Sequence, residues 1–393
     1  MRFAHLPALL AACLAACGPR TEPAEPADQG PTLAEARATV AACRAERVST
    51  ERWRRAAQAF RNAAADGTLP PDAAAEADLA LAMAALGDGR AAEARAPAQR
   101  AADARPDWAC ARLALGETLF TLGEVEDARQ AYQLAAAADP TWYLPPLRLG
   151  VVARWHGAPS DALALFDQAA RLEPSAAEPP LQIGMLQLEW GRADEAVAAL
   201  RRAAELDPAW ANAHLQLATA RLAAGDLAAA RAAAEEALRR RPGWADALAT
   251  LGRIDLAAGN LDQAAARFQE AVEADPSFAE ARAGLGRVAE ARGDPAAAEQ
   301  YYRQAATIDP QAPDGLEGQA RLARAAGDLA RAETLQFQAV ALVPGHPETR
   351  LELARILFLA GKTAEAARQL EFIRQRFPGH PAAEELARQL GAP

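Results

Sequence analysis

Nine prolines recur at a fixed spacing of 34 residues through most of the chain. They are Pro106, Pro140, Pro174, Pro208, Pro242, Pro276, Pro310, Pro344 and Pro378. A constant period of this size is typical of a solenoid, in which one supersecondary unit is repeated and each copy packs on its neighbours. The period therefore predicts a repeat fold, although it does not identify a partner.

Further columns of small residues keep the same spacing and locate two helices in each unit. A glycine stands 17 residues before each proline, as Gly123 does before Pro140, where a first helix would end in a left-handed residue. Proline ends the second helix, since it lacks an amide donor. Small residues such as Gly116 and Ala128 let the two backbones approach closely. Each unit is therefore predicted to be an antiparallel helical hairpin, and no stretch alternates with the period of a strand.

The repeated positions resemble the tetratricopeptide repeat family. Counted from residue 75, the small residue at position 8, alanines at 20 and 27, a large residue at 24 and the proline at 32 recur in nine units over residues 75–380, with Ile373 in place of the alanine at position 27 of the last unit. Position 24 departs from the pattern at Ala98, Ala234 and Gln336, and the family's tryptophan at position 4 is absent. The resemblance implies an all-α, right-handed α-solenoid, a tetratricopeptide repeat superhelix with the first helix of each unit on its concave wall.

The segments that flank the nine repeats are predicted to be helical too. Residues 32–74 are interpreted as a degenerate N-terminal helical pair, because helical spacing persists there while the loop at 66–71 breaks the period. Residues 381–393 are interpreted as a C-terminal capping helix. Terminal repeats are expected to be atypical, since one of their faces meets water.

Residues 1–16 have the features of a secretory signal peptide, with an apolar run too short to span a bilayer, which takes about 20 residues. The residues before Cys17 resemble a bacterial lipobox, which implies cleavage and lipidation of Cys17. Cys13 fits the same pattern but lies inside the apolar run. The alternative is an ordinary signal peptide that is cleaved near Ala16. Residues 17–31 are predicted to be the lipidated cysteine and a proline-rich tether.

The resemblance to bacterial lipoproteins also implies a location. An aspartate after the lipidated cysteine often retains such proteins at the inner membrane, and this chain has Gly18 there. The predicted location is therefore the bacterial cell envelope, at the outer membrane and facing the periplasm.

Two cysteines remain after the N-terminal pair, and they are predicted to be unpaired. Cys43 and Cys110 would lie about two repeats apart on equivalent first helices. A disulfide needs Cα atoms within about 7 Å, and helices two repeats apart are expected to be farther from each other than that. Both are interpreted as buried or groove-lining thiols.

The composition argues against several functions. The formal net charge is -10 and there is no basic block, so nucleic acid is not an expected partner. None of the four serines lies in a nucleophile elbow and no two histidines have zincin spacing. We therefore expect no enzyme activity, no cofactor and no metal site.

Positions 2, 5, 9, 12 and 13 of the first helix share one face, which is apolar in early units and carries arginine in later ones. Because the family binds ligands on this face, it is the predicted partner-binding groove. Its predicted residues are Leu113, Phe120, Leu147, Val151, Trp155, Leu181, Met185, Arg253, Arg287, Arg321 and Arg355. In the alternative, the leucines pack between repeats and the arginines pair with neighbouring acids.

The predicted function is a membrane-anchored, non-enzymatic scaffold that binds a protein or peptide segment in this groove. The resemblance implies a role in assembly of envelope complexes. Two alternatives are a glycan or peptidoglycan-enzyme adaptor and the targeting subunit of a separately encoded enzyme. The oligomeric state is left open.

Overall fold

A computed structural model describes residues 31–44 and 48–391. The predicted signal peptide, Cys17 and all of the tether except residue 31 lie outside these residues. Within them the helices alternate along the chain as consecutive hairpins, without a strand. No helix in this part of the chain is both long and apolar enough to cross a membrane.

The described residues form 21 α-helices and one 3-10 turn, Pro71–Ala73. The helices are α1 Leu33–Ala41, α2 Thr50–Ala65, α3 Ala74–Gly87, α4 Ala91–Ala104, α5 Ala109–Thr121, α6 Val125–Ala138, α7 Leu144–Trp155, α8 Pro159–Leu172, α9 Glu178–Glu189, α10 Ala193–Leu206, α11 Ala211–Ala223, α12 Leu227–Arg240, α13 Ala245–Ala257, α14 Leu261–Ala274, α15 Ala279–Ala291, α16 Pro295–Ile308, α17 Asp314–Ala325, α18 Leu329–Leu342, α19 Pro347–Leu359, α20 Thr363–Arg376 and α21 Pro381–Gln389.

The turn inside each hairpin is made as the glycine column predicts. Gly123, between α5 and α6, has a φ of 83°, and the other eight glycines of the column also have positive φ. The amide of Gly123 donates to Phe120 O at 3.0 Å and that of Glu124 donates to Leu119 O at 2.9 Å. These bonds satisfy carbonyls at the end of α5 that have no partner within the helix.

The two helices of a hairpin fit because positions 8 and 24 complement each other in size. Phe166 of α8 is fully buried against Gly150 of α7, where an added Cβ would lie 2.5 Å from the ring. Where position 24 is only Ala234, position 8 is Ala218, and both are buried. In these two hairpins the backbone separation is therefore set by an aromatic ring on glycine and by a pair of alanines.

The helices form two compact units. Unit 1 contains the described residues up to His156 together with Ala164–Pro174, and unit 2 contains Gly157–Leu163 and the described residues from Ser175 onward. The core of unit 1 includes Phe60 and Tyr132.

Two of the cores of unit 2 include Phe268 of α14 and Tyr302 of α16. These two rings occupy position 24 of successive repeats, so the same repeat position contributes a large side chain to both clusters.

The prediction that Cys43 and Cys110 are unpaired is wrong. They form a disulfide bond, with Cα atoms 6.5 Å apart. The prediction placed Cys43 within a first helix, at the spacing of a regular repeat. Instead α1 ends at Ala41 and packs against both α2 and α3, so the turn after it reaches the start of α5.

Candidate partner-binding surface

The apolar part of the predicted groove divides into exposed and buried residues in unit 1. Leu113 on α5, and Val151 and Trp155 on α7, are partly exposed. Phe120 and Leu147 are buried in the core. These two side chains pack between helices, as the alternative interpretation of positions 5 and 12 expects, and are closed to a partner.

A nearly buried ion pair fixes the helices that carry this apolar surface. Arg148 of α7 donates from Nε to Glu117 Oε1 of α5 at 2.6 Å, and both side chains are largely covered. Such a pair holds two groups in one geometry, because leaving either charge alone in a buried place is costly. Sequence reasoning missed this pair, because Glu117 and Arg148 occupy positions 9 and 6 of successive repeats and share no column.

Beside the disulfide, unit 1 has an open cleft of about 610 Å³ between α1 and the start of α5. Trp108 and Trp142 line it together with Arg37 and Arg44. Arg37 pairs with Asp72 at 3.0 Å and with Glu76 at 3.0 Å.

The second arginine of this cleft is paired as well, since Arg44 lies 2.6 Å from Asp139. Arg37 and Arg44 are thus paired with neighbouring acids, whereas the third arginine of the lining, Arg105, stacks on the Trp108 ring at 4.1 Å.

In unit 2 the first two predicted residues behave like those of unit 1. Leu181 of α9 is buried, and Met185 of the same helix is partly exposed. Met185 therefore remains available on the first-helix face, whereas Leu181 belongs to the core.

Most of the arginine column in unit 2 is paired with acids of the same chain. Arg253 lies 3.3 Å from Glu280, and Arg355 lies 3.3 Å from Glu352. These two contacts are the internal ion pairs that the alternative interpretation of the column expects.

Arg321 is held in a buried network of the same kind. Its Nε lies 3.1 Å from Glu290 Oε2, and its Nη2 donates to the hydroxyl of Tyr302 at 2.8 Å. That hydroxyl donates to Glu290 at 2.6 Å, and burial raises the pKa of Tyr302 well above its usual range.

Arg287 differs from the other three arginines. Over residues 31–44 and 48–391 it has no hydrogen bond or ion pair of its own, and its positive charge acts at a distance on Asp314. Burial nevertheless raises the pKa of Asp314 to about 6, helped by the negative charge of Glu280. Burial and Glu280 likewise raise the pKa of Asp246. Negative charge is therefore incompletely compensated around Arg287.

No group of His, Cys, Asp and Glu in the described part of the chain is arranged to hold a metal ion. The chemistry that this surface offers is apolar contact and hydrogen bonding.

Comparison with known proteins agrees with the arrangement of the helices in consecutive hairpins. A tetratricopeptide repeat model matches residues 46–109, 80–141, 181–245 and 249–313, and a second model of the same repeat matches residues 323–390. The first model alone covers more than half of the chain. The chain therefore belongs to the tetratricopeptide repeat family, whose members generally serve as non-enzymatic scaffolds for protein–protein interaction.

Two solved structures share the fold over more than half of this chain. A tetratricopeptide repeat protein from Parabacteroides merdae is 14% identical, with a TM-score of 0.54 over 63% of this chain and 97% of that one. The APC/C hetero-tetramer Cut9-Hcn1 is 16% identical, with a TM-score of 0.51 over 81% of this chain and 62% of that one. YrrB, a tetratricopeptide repeat protein with an unusual peptide-binding site, is 21% identical, with a TM-score of 0.39 over 47% of this chain and 95% of that one. A search of curated proteins found no match.

Proposed function

We propose that this protein is an exported, lipid-anchored scaffold that binds a protein segment on its first helices and serves complex assembly at the bacterial envelope. The observation that carries the proposal is the row of partly exposed apolar side chains on three successive first helices of unit 1. This row, the apolar row, consists of Met83 on α3, Leu113 on α5, and Val151 and Trp155 on α7.

The apolar row has properties that suit a binding surface. Met83, Leu113 and Val151 also pack against the core of unit 1, so they are held in place before a partner arrives. The Glu117–Arg148 ion pair fixes α5 relative to α7. A pre-ordered apolar surface loses little conformational entropy on binding, and an aromatic residue such as Trp155 is a frequent energetic anchor.

In unit 2 we assign a smaller part of the arginine column to the partner than the sequence suggested. Arg253, Arg321 and Arg355 are already paired with acids. Arg287 keeps hydrogen-bond donors available for the partner.

Export and anchoring are supported by two independent features. The disulfide between Cys43 and Cys110 fits an oxidising compartment, because thiols of cytosolic proteins are kept reduced. The sequence before Cys17 supports lipidation at that residue. Together they favour a mature chain that is tethered at Cys17 on the periplasmic side of a membrane.

Site-specific photo-crosslinking in cells tests the binding surface. A photoreactive residue at Val151 is expected to give a discrete adduct that disappears when Trp155 is also changed to alanine. The matched control is the same residue at Leu134, which is apolar and 49% exposed but lies on the second helix α6. Equal amounts of adduct at Val151 and Leu134, or no adduct at Val151, would contradict the assignment of the apolar row as the binding surface.

The anchor is tested separately by lipid labelling and membrane fractionation. Cys17→Ser is expected to abolish both labelling and membrane retention, whereas Cys13→Ser is expected to leave them intact. Labelling that survives Cys17→Ser shows that the anchor is elsewhere.

A further inference from the structure

Unit 2 contacts itself at two points that are far apart along the chain. The turn between α9 and α10 lies against the segment between α20 and α21. Trp190 donates from Nε1 to the carbonyl oxygen of Pro378 at 2.9 Å, and Arg192 donates from Nη2 to the same oxygen at 3.0 Å. These bonds join residues 188 and 186 positions apart, so they are not part of the packing between neighbouring repeats.

The contact is desolvated and aromatic. Trp190 and Phe377 are 4% and 6% exposed, and their ring centroids lie 6.0 Å apart in an edge-to-face arrangement at 80°. The guanidinium of Arg192 stacks over the Trp190 ring, 4.2 Å from its centroid. Edge-to-face and cation–π geometries are both favourable, and they are stronger where water is excluded.

The two segments fit closely. A Cβ added to Gly191 would lie 3.1 Å from Nε2 of His380 and 3.4 Å from Cδ of Pro381, so a larger side chain would push the segments apart. His380 is 1% exposed and accepts from the amide of Ala383 at the start of α21. Its Nε2 lies 3.3 Å from Glu348 of α19. The turn therefore rests on a segment that is itself fixed to the last repeat.

The tryptophan of this contact is not explained by the repeat. Trp190 is the fourteenth residue of its unit, and the same position in the units before and after it is His156 and Ala224. Trp190 does not belong to the column of aromatics that follows the prolines, such as Trp210 and Trp244.

The positions of the two segments define the geometry of unit 2. The turn at Gly191 joins the two helices of one hairpin, whereas the segment at Pro378 follows a second helix. In a stack of antiparallel hairpins these two kinds of connection lie on opposite edges. Between α10 and α20 the array must therefore rise along the superhelix axis by its own width. One edge of the last repeat then meets the opposite edge of an earlier repeat.

We infer that the contact between Trp190–Arg192 and Phe377–Pro381 is a clasp, which closes unit 2 into a single superhelical turn. In the closed turn a partner reaches the first helices along the superhelix axis; these helices are α11, α13, α15, α17 and α19. An extended chain can enter by that route, whereas a bulky partner requires the clasp to open.

Hydrogen exchange on the full mature chain tests whether the clasp holds. Arg192→Met is expected to speed amide exchange of the 377–391 segment about tenfold, as expected when hydrogen bonds worth about 1.4 kcal/mol are lost. The matched control is Arg241→Met, because Arg241 also stacks on a tryptophan, Trp244, at 4.9 Å, and within residues 31–44 and 48–391 no segment distant in sequence is hydrogen-bonded to that ring. Unchanged exchange in the Arg192 variant, or equal acceleration in both variants, overturns the inference.

A size-graded probe tests whether the clasp controls access. A chain with serine at Cys13 and Cys17 is given one new cysteine at Thr219, on the first helix α11. N-ethylmaleimide is expected to react at similar rates with and without Arg192→Met, while a 5-kDa polyethylene glycol maleimide reacts several-fold faster with the Arg192 variant. A cysteine at Glu205, on the outer helix α10, is expected to show no such difference. Equal reaction of the large probe at Thr219 with and without the clasp overturns the gating role.

Trp190→Phe provides a second test of the same contact, since it removes the indole donor and keeps an aromatic ring. Circular dichroism is measured alongside, so that a loss of helix is separated from an opening of the clasp. Faster exchange at 377–391 with unchanged helicity supports the clasp, and unchanged exchange contradicts it.

Discussion

Reduction of the disulfide between Cys43 and Cys110 should selectively destabilise the start of unit 1. The bond closes a loop with a sequence separation of 67 residues, which contains α2, α3 and α4. By the loop-entropy relation, a loop of this length constrains the unfolded chain by about 4.4 kcal/mol at 25 °C. After reduction α1 keeps its packing on α2 and α3, through buried residues such as Ala36 and Val40, and the ion pairs of Arg37.

The assay is urea unfolding of the mature chain with and without reductant, combined with hydrogen exchange that is resolved by segment. We expect a lower midpoint for the transition of unit 1 and earlier exchange in α1 and α2. Unit 2 provides an internal reference, because no cysteine lies in its described residues. A double Cys43→Ser and Cys110→Ser variant should match the reduced protein and should not respond to reductant.

Counting free thiols tests whether Cys43 and Cys110 form the disulfide. In a chain with serine at Cys13 and Cys17, the oxidised protein is expected to expose no reactive thiol after denaturation, and the reduced protein two. Two thiols before reduction, or an unfolding midpoint that reductant does not move, refutes the reasoning and leaves export without its structural support.

Three further outcomes follow from the packing and charges. Gly150→Ala is expected to destabilise unit 1 by about 1–3 kcal/mol through overpacking on Phe166, and most of this cost should vanish when Phe166→Ala is added, as a double-mutant cycle of urea midpoints would show. Glu117→Gln should destabilise unit 1 by about 3 kcal/mol because it removes the negative charge that lies against the largely covered Arg148 guanidinium, whereas Glu117→Asp, which keeps the charge, is the milder control in the same titration. Because the folded pKa of Asp314, about 6, lies above the value of 3.8 for an unperturbed aspartate, its ionisation weakens the native state as pH rises between these values. Asp314→Asn should therefore unfold at higher urea concentration than the parent at pH 7.5 and at nearly the same concentration at pH 4, and an equal difference at both pH values would contradict this.

The hairpins were predictable because each repeat position has one physical task. Glycine at Gly123 must take a positive φ, and proline must end the following helix, so a column of either residue marks a boundary directly. The same logic explains why position 24 varies with position 8, as Phe166 does with Gly150.

The disulfide could not be predicted, since the N-terminal pair does not keep the repeat spacing. The position of Cys43 depends on where α1 ends and on its packing against α3, which no period describes. The clasp was missed for a related reason. Trp190 and Pro378 are brought together by the accumulated rotation of several repeats. The small rotation between two neighbouring repeats cannot be read from the sequence of either repeat.

The predicted groove residues differ in how far they are exposed, because helical periodicity gives a face but not its depth. Leu147 and Leu181 lie on the first-helix face and are nevertheless covered by the adjacent helices. The arginine column was visible in the sequence, but which of its members had acids within reach depended on the stacking of successive repeats.

The clasp also bears on how such a chain can evolve. Arrays of this kind commonly change length by gaining or losing whole units, because each unit contacts only its neighbours. Here the hydrogen bonds from Trp190 and Arg192 to Pro378 span a defined number of units. Loss of a single unit, such as residues 211–244, would keep the local helices but carry Pro378 away from its donors. Selection on the closed turn would therefore fix the copy number of repeats in unit 2, a constraint separate from those on the repeat columns themselves.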